Sequence, residues 1–316
     1  YRAVTGSSTT DVVVVDDQGG VFHFDGAAWL QMTSVPAGTT DGIHDIWGAA
    51  PDDVLAVGGL RRVHHYDGLS WSAVSSPTLA ALRTSLYRLW GNSATDVFAI
   101  ALPGAILHHD GTGWTVMASP FAGTIYGIWG ISPTDVFAVG YDSTLLHYDG
   151  GSWTIARTTP TGAPSFRGVW GSSATNVFAV GDNDWVFHWD GSSWSYVETI
   201  MYFMPGHDWH AVWGSSASDM VVVGSSGSIA RYDGATWSLT PSGTTETLTD
   251  VWGASRAEVF AVGDAGAVLR YDGSEWRAEV IPGGPEALYA VWGSSASNVF
   301  VSGGGGAILH RCGDPW

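Results

Sequence analysis

Apolar residues in this chain arrive in short runs of four or five, alternating or continuous, divided by small-residue turns and never at helical spacing. Residues 251–276 show the pattern in full. One run is Glu258-Val259-Phe260-Ala261-Val262, closed by Gly263. A second is Ala267-Val268-Leu269, followed by the Asp272-Gly273 turn, and Trp276 opens the next run. Asp-Gly tolerates the positive dihedrals of a tight hairpin. The pattern predicts three short strands and the start of a fourth, and one such unit cannot bury both of its faces.

The chain repeats the unit. A Trp-Gly pair stands at Trp47, Trp90, Trp129, Trp170, Trp213, Trp252 and Trp292, with Thr5-Gly6 as a degenerate first copy. The spacing runs from 39 to 43 residues and averages 41. Asp-Gly-x-x-Trp recurs at Asp25, Asp67, Asp110, Asp149, Asp190, Asp233 and Asp272, and Cys312-Gly313-Asp314-Pro315-Trp316 is a worn eighth copy. A period near 40 with four strands per period marks a propeller blade. The expectation is an all-β, eight-bladed β-propeller of four-stranded antiparallel blades forming one domain over residues 1–316, with seven blades as the alternative. Strand A ends in Trp-Gly, strand B is of the Asp-Val-Phe-Ala-Val type, strand C of the Ile-Leu-His-Tyr type, and strand D starts at the later Trp. Each should hold four or five residues. The last unit stops at Trp316, so blade eight either has three strands or is completed by residues outside this sequence.

Strands in a blade alternate in direction, so A–B and C–D turns share one face of the disc and B–C and D–A loops share the other. The A–B turns are uniform, as in Gly171-Ser172-Ser173 and Gly293-Ser294-Ser295, and the C–D turns are Asp-Gly. The B–C loops differ from copy to copy: Leu60-Arg61-Arg62, Leu102-Pro103, Tyr141-Asp142-Ser143, Asp182-Asn183-Asp184-Trp185, Ser225-Ser226. Copies of one unit diverge where stacking does not need them. The B–C/D–A face is therefore the candidate functional face.

Composition narrows the function. All twelve basic residues are Arg, and net charge is −18. That balance argues against nucleic acid, whose phosphates need basic partners, and against anionic lipid. No apolar run approaches the roughly 18 residues that span a membrane. One cysteine, Cys312, allows no intrachain disulfide. A Trp-rich, Lys-free, acidic chain reads as secreted or displayed at the cell surface.

The most visible chemistry is absorbed by the repeat. Strand C carries His23, His65, His108, His147, His188 and His310 at one position, with Arg231 and Arg270 in the two remaining blades. Equivalent positions on separate blades diverge, whereas metal ligands must converge. Each His should bond within its own blade, to the Asp that opens strand B or to a Ser of the A–B turn. That Asp column is Asp11, Asp53, Asp96, Asp135 and Asp219, with Asn176, Glu258 and Asn298 as variants. The two Trp columns are core and turn anchors.

Residues outside the columns carry the functional signal. Asp182, Asn183 and Asp184 stand beside Trp185, and residues 201–207 form a long apolar, aromatic loop where a blade connection needs only a few polar residues. Tyr141 and Asp142 lie one blade away. Aromatic plates flanked by Asp and Asn suit a sugar, so the candidate ligand-binding set is Tyr141, Asp142, Asp182, Asn183, Trp185, Tyr202, Phe203 and His207. The plainer reading of residues 201–207 is a cap or protein contact. Trp209 belongs to the apolar column of Ile43, Leu86, Ile125, Phe166, Leu248 and Leu288 and should be core. The next position (Arg2, His44, Tyr87, Tyr126, Arg167, His210, Thr249, Tyr289) forms a polar ring, either a binding funnel at the central channel or a packed seam between blades. Calcium would find oxygen ligands at Asp182, Asn183 and Asp184, but the alternating loop it favours is missing, and no cofactor is expected.

The Asp-Gly-x-x-Trp hairpin is similar to the Asp-box of sialidase-type propellers, except that Asp149 and Gly150 are adjacent where the box has a residue between them. The whole unit, Trp-Gly-Ser-Ser…Asp-Val-Phe-Ala-Val-Gly…His-Tyr-Asp-Gly…Trp, resembles the repeats of bacterial exported propeller proteins. The resemblance implies fold and export and says little about ligand. The Arg triad and Tyr–Glu pair of a sialidase have no counterpart here. The expected function is a non-catalytic secreted or cell-surface binding module, carbohydrate-binding and lectin-like through the variable face. The alternative is a protein-interaction scaffold or structural subunit of an extracellular assembly, open to oligomerisation. A glycosidase or polysaccharide lyase ranks below both. Partners are a glycan or a protein surface, with no membrane insertion.

Overall fold

The computed structural model describes residues 3–15, 20–32, 42–59, 62–157, 162–197, 206–281, 284, 287–313 and 316. They form eight antiparallel sheets, each made of strands consecutive in sequence and paired in chain order. Seven sheets have four strands and the last has three among the described residues. The fold is an eight-bladed β-propeller. The blades belong to two compact units, Tyr1–Ile125 and Tyr126–Trp316.

Blade 7 is typical: strand A is Leu248–Ser255, B is Glu258–Gly263, C is Val268–Tyr271 and D is Trp276–Ala278. Strands A and B are longer than their apolar runs predict. The reason is that Trp-Gly does not end strand A. Gly253 still pairs with Val259 and Ser255 with Glu258 across a bulge, leaving only residues 256–257 as the turn. The uniform Gly-Ser-Ser segments are therefore strand, and their sameness reflects pairing.

Sequence pattern also missed a helix. Pro77–Ala81 forms one short turn between blades 2 and 3, with the Ser76 hydroxyl accepting the Leu79 N–H at 3.1 Å. Ser followed by Pro is a start signal that was readable in the sequence.

Trp-Gly works between blades. A Cβ on Gly253 would lie 2.5 Å from the ring of Trp213, the equivalent Trp of the preceding blade, and one on Gly293 would lie 2.6 Å from Trp252. Within the first unit Trp47 covers Gly91 in the same way. Trp129 on Gly171 and Trp170 on Gly214 repeat the contact, so in these blades the dipeptide is one half of two contacts. Strand-D Trp residues reach back instead: Trp194 meets Phe137 edge-on at 5.9 Å and Trp237 meets Phe178 at 5.9 Å. Trp316 meets Phe260 at 6.2 Å in the same arrangement. The core consequently lies between blades, as where Val221 and Val223 of blade 6 pack with Val251, Val259 and Ala261 of blade 7. The apolar column is fully buried, Trp209 included.

Candidate functional site

The His–Asp column binds within blades. His23, His65 and His108 each donate Nε2–H to the Asp twelve residues earlier at 2.7 Å, and His147 does so to Asp135 at 2.6 Å. Where the acceptor is Asn176 or Asn298 the partner remains His; where the partner is Arg231 or Arg270 the acceptor is Asp219 or Glu258. The histidine rings also stack on strand B, His310 over Phe300 at 4.1 Å and His147 over Phe137 at 4.4 Å. Ser7, Ser172, Ser215 and Ser294 complete the networks from strand A. Among the described residues no group of three or more His, Cys, Asp and Glu could hold a metal ion, and no helix is long and apolar enough to cross a membrane.

The polar ring of strand A is a seam between blades at three positions. His44 Nδ1–H donates to the Leu86 carbonyl at 3.0 Å, His210 to Leu248 at 3.1 Å, and Thr249 to Leu288 at 2.7 Å. The adjacent residue adds a second stitch that sequence reasoning did not identify. Asp45 accepts the Leu89 N–H and Asp250 the Val291 N–H, each at 2.9 Å from the following blade. Burial pushes the Asp45 carboxyl above its ordinary value, against the Arg88 charge and the N–H donors that lower it.

The B–C loops, so varied in sequence, share one backbone from blade 4 to blade 8. Two consecutive residues adopt positive φ in each: Asp142 and Ser143, Asn183 and Asp184, Ser226 and Gly227, Ala265 and Gly266, Gly305 and Gly306. These are the central residues of a type I′ hairpin, whose left-handed dihedrals admit Gly, Asn and Asp most readily. The Asp and Asn that mark this face in the sequence thus meet a backbone requirement. The C–D turn works otherwise. There only the Gly has positive φ, and the preceding Asp accepts backbone N–H groups, as Asp149 Oδ1 does from Gly151 and Ser152, each at 2.9 Å.

The predicted ligand residues are placed as follows. Asp142 accepts the Gly162 and Ala163 N–H groups of the next D–A connection, and the Tyr141 ring is 52% exposed beside it. Asp182 holds the Arg167 guanidinium through two bonds of 2.8 and 3.1 Å, which raise the arginine above its ordinary value. The Asn183 N–H donates to Asp208 at 3.0 Å. Asp184 is buried and accepts the Gly206 and His207 N–H groups at 2.7 and 3.3 Å. Trp185 is half-buried against Phe187 at 5.3 Å and Phe166 at 5.9 Å, inside an aromatic cluster of blade 5. His207 shares a 2.8 Å hydrogen bond with the Ser228 hydroxyl. Tyr202 and Phe203 lie outside the described residues. The structure therefore brings Asn183, Asp184 and His207 together, while Tyr141 and Asp142 join a separate connection.

Beside His207 opens a cleft of about 770 Å³. Its apolar lining is Ile229, Leu239 and Pro241; its hydroxyl lining includes Ser226, Ser228, Thr240, Ser242 and Thr244. Among the described residues no Asp, Glu, Lys or Arg lines it. At its edge Gly227 lets the D–A connection approach, because a Cβ there would strike the Thr244 carbonyl. Ser242 then fixes the connection by accepting the Thr244 N–H at 3.3 Å and donating to its carbonyl at 3.2 Å. Of the predicted residues described, His207 alone lines this cleft. The rest of the lining escaped sequence reasoning because Pro-Ser-Gly-Thr-Thr has the composition of any connection. The same shoulder of blade 2 carries a smaller cleft of about 420 Å³, lined by Val63, Val74 and Leu79 among others.

No protein-family model and no curated protein sequence matches this chain. Solved structures match in fold at low identity. The computationally designed Ika8 protein is 14% identical, with 98% of this chain and 95% of that one covered at a TM-score of 0.80. Sqt1 of Chaetomium thermophilum, bound to the N-terminus of the ribosomal protein L10, is 13% identical over 95% of this chain and 93% of its own, at 0.73. YCF48 of Cyanidioschyzon merolae is 17% identical over 85% and 95%, at 0.63. A further structure shows YCF48 bound to D1 peptide, with the same identity and TM-score over 86% and 92%.

Proposed function

We propose that this chain is a protein-interaction propeller that holds an extended peptide segment of a partner in the cleft of blade 6. The observation that carries the reading is the cleft itself. About 770 Å³ accommodates several residues of extended chain. Leu239 and Pro241 offer apolar surface, and the exposed hydroxyls of Ser226 and Thr245 can exchange hydrogen bonds with a peptide backbone without demanding a charge. The two solved neighbours seen with a peptide or a protein terminus support the reading by analogy of fold.

A sugar site is less well supported. Its stacking plate, Trp185, is packed among Phe166, Phe187 and Tyr196, and the carboxylates of Asp142, Asp182 and Asp184 hold backbone or Arg167. Panning a displayed peptide library against the protein tests the proposal. Selected peptides should lose at least tenfold in affinity with Pro241→Arg or Thr245→Arg, both exposed positions on the cleft. Binders indifferent to both substitutions, or retention of the protein on a glycan array with no peptide selected, would overturn it.

A further inference from the structure

Blades 6 and 7 sort their charges to opposite ends of the strands. All four arginines between residues 209 and 281 stand at the A–B/C–D end, each beside a carboxylate. Arg231 holds Asp219 at 2.6 Å, and Arg256 lies 3.6 Å from the same group. Arg270 holds Glu258 at 2.8 Å and Arg277 holds Glu275 at 2.6 Å. The B–C/D–A end, where the blade 6 cleft opens, has Glu246 and Asp264 instead. Glu246 directly follows Thr245 of the cleft lining. Asp264 stands beside the same connection, its N–H donating to the Thr247 carbonyl at 2.9 Å. Both residues are exposed, and among the described residues neither carboxylate meets an arginine or accepts a hydrogen bond.

We infer that the segment held in the blade 6 cleft is cationic, with a Lys or Arg where it leaves the cleft past Thr245. The inference rests on the peptide reading of that cleft and adds the charge of the partner. The apolar and hydroxyl lining does not choose between acidic and basic segments, and Glu246 and Asp264 do. A Lys or Arg beside them finds two carboxylates with no cation of their own. An Asp or Glu there meets two like charges and no counter-ion, because the arginines of both blades are engaged at the other end. The net charge of −18 acts in the same sense at longer range, drawing a cationic segment toward this face and repelling an anionic one. Charges at the rim of a site act mainly on association rate and partner choice. The cleft therefore holds the segment, and the two carboxylates select it.

Two displayed peptide libraries test this, identical except that one admits Lys and Arg and the other Asp and Glu at the charged positions. Both are panned against the full chain, and the recovered peptides are titrated at low and at high salt. Peptides should come from the cationic library. Their affinity should fall about fivefold when Glu246→Gln is combined with Asp264→Asn, a variant whose melting temperature should match the parent's. It should also fall more steeply with salt on the parent chain than on that variant. Equal recovery from the two libraries, or cationic peptides indifferent to the double substitution, overturns the inference. If Pro241→Arg still weakens those peptides, the cleft reading stands without it. Peptides indifferent to Pro241→Arg bind elsewhere and overturn both, as does recovery from neither library.

Discussion

His64 shows how one residue can set a pH dependence. It lies on strand C of blade 2, 2% exposed, with neither ring nitrogen hydrogen-bonded among the described residues. Burial, reinforced by the Arg62 charge, lowers its pKa from 6.5 to about 4, and burial lowers His188 and His310 as well. In all three the folded state disfavours the proton. Their contribution is therefore intact above pH 6.5 and is lost as pH falls, through about 4 for His64, because the unfolded chain binds protons first. His64 alone accounts for up to about 3 kcal/mol over that range. Urea unfolding of His64→Leu should show a flatter decline between pH 7.5 and 4.5 than the parent chain. Parallel curves would show that His64 is not the sensor. His44 and His210, by contrast, look equally conspicuous in sequence and serve as donors across a blade seam. What separates these histidines is whether a carbonyl lies within reach, which a residue's spacing does not reveal.

At the scale of elements, the repeat unit couples by contact between copies. Gly253 exists because Trp213 of the preceding blade occupies the space a Cβ would need. Gly253→Ala should cost about 1–3 kcal/mol through overpacking. In a double-mutant cycle with Trp213→Leu, most of that cost should disappear; additive losses would place the strain elsewhere. The I′ turns couple sequence to backbone in the opposite sense. Five B–C loops differ in sequence yet share two left-handed residues, so their divergence is confined to what that backbone accepts. Sequence comparison among copies overstated the freedom of these loops. The blade 6 cleft was hidden for a related reason: Gly227 and Thr244, which line it and approach each other closely, do not stand out in their runs.

For the whole molecule the decisive quantity is charge, −18 with no lysine. Much of it sits in C–D turns that cannot readily be neutralised. Side-chain bonds from Thr112 and Ser192, with backbone N–H groups, hold Asp110 and Asp190 at about 2; a Ser274 bond lowers Asp272 likewise, and backbone N–H groups lower Asp25, Asp67, Asp149 and Asp233. A lowered folded pKa stabilises above the ordinary 3.8 and loses that contribution as pH falls toward 2. Between pH 4 and 7 the turns therefore stay ionised and their mutual repulsion persists. Raising ionic strength from 10 to 150 mM at pH 7 should raise the melting temperature by several degrees, since the screening length shrinks from about 30 to 8 Å. A melting temperature independent of salt would mean that the charges are already balanced locally.

Local chemistry determined the blade in advance. A period of 41, two Trp columns, Asp-Gly turns and a His–Asp spacing of twelve all describe contacts repeated within each copy, so each copy testifies to the others. Eight blades, strand order and the role of the histidines were legible for that reason. The tertiary structure decided what only neighbouring copies or distant connections can settle. Strand A continues past Trp-Gly because strand B pairs with it; Trp185 is packed because Phe166 and Phe187 stand beside it. The carboxylates of Asp182 and Asp184 are committed because Arg167 and the backbone of residues 206–207 meet them. A residue's type states which bonds it can make. Which of them remain for a ligand depends on partners that a repeat places outside its own period.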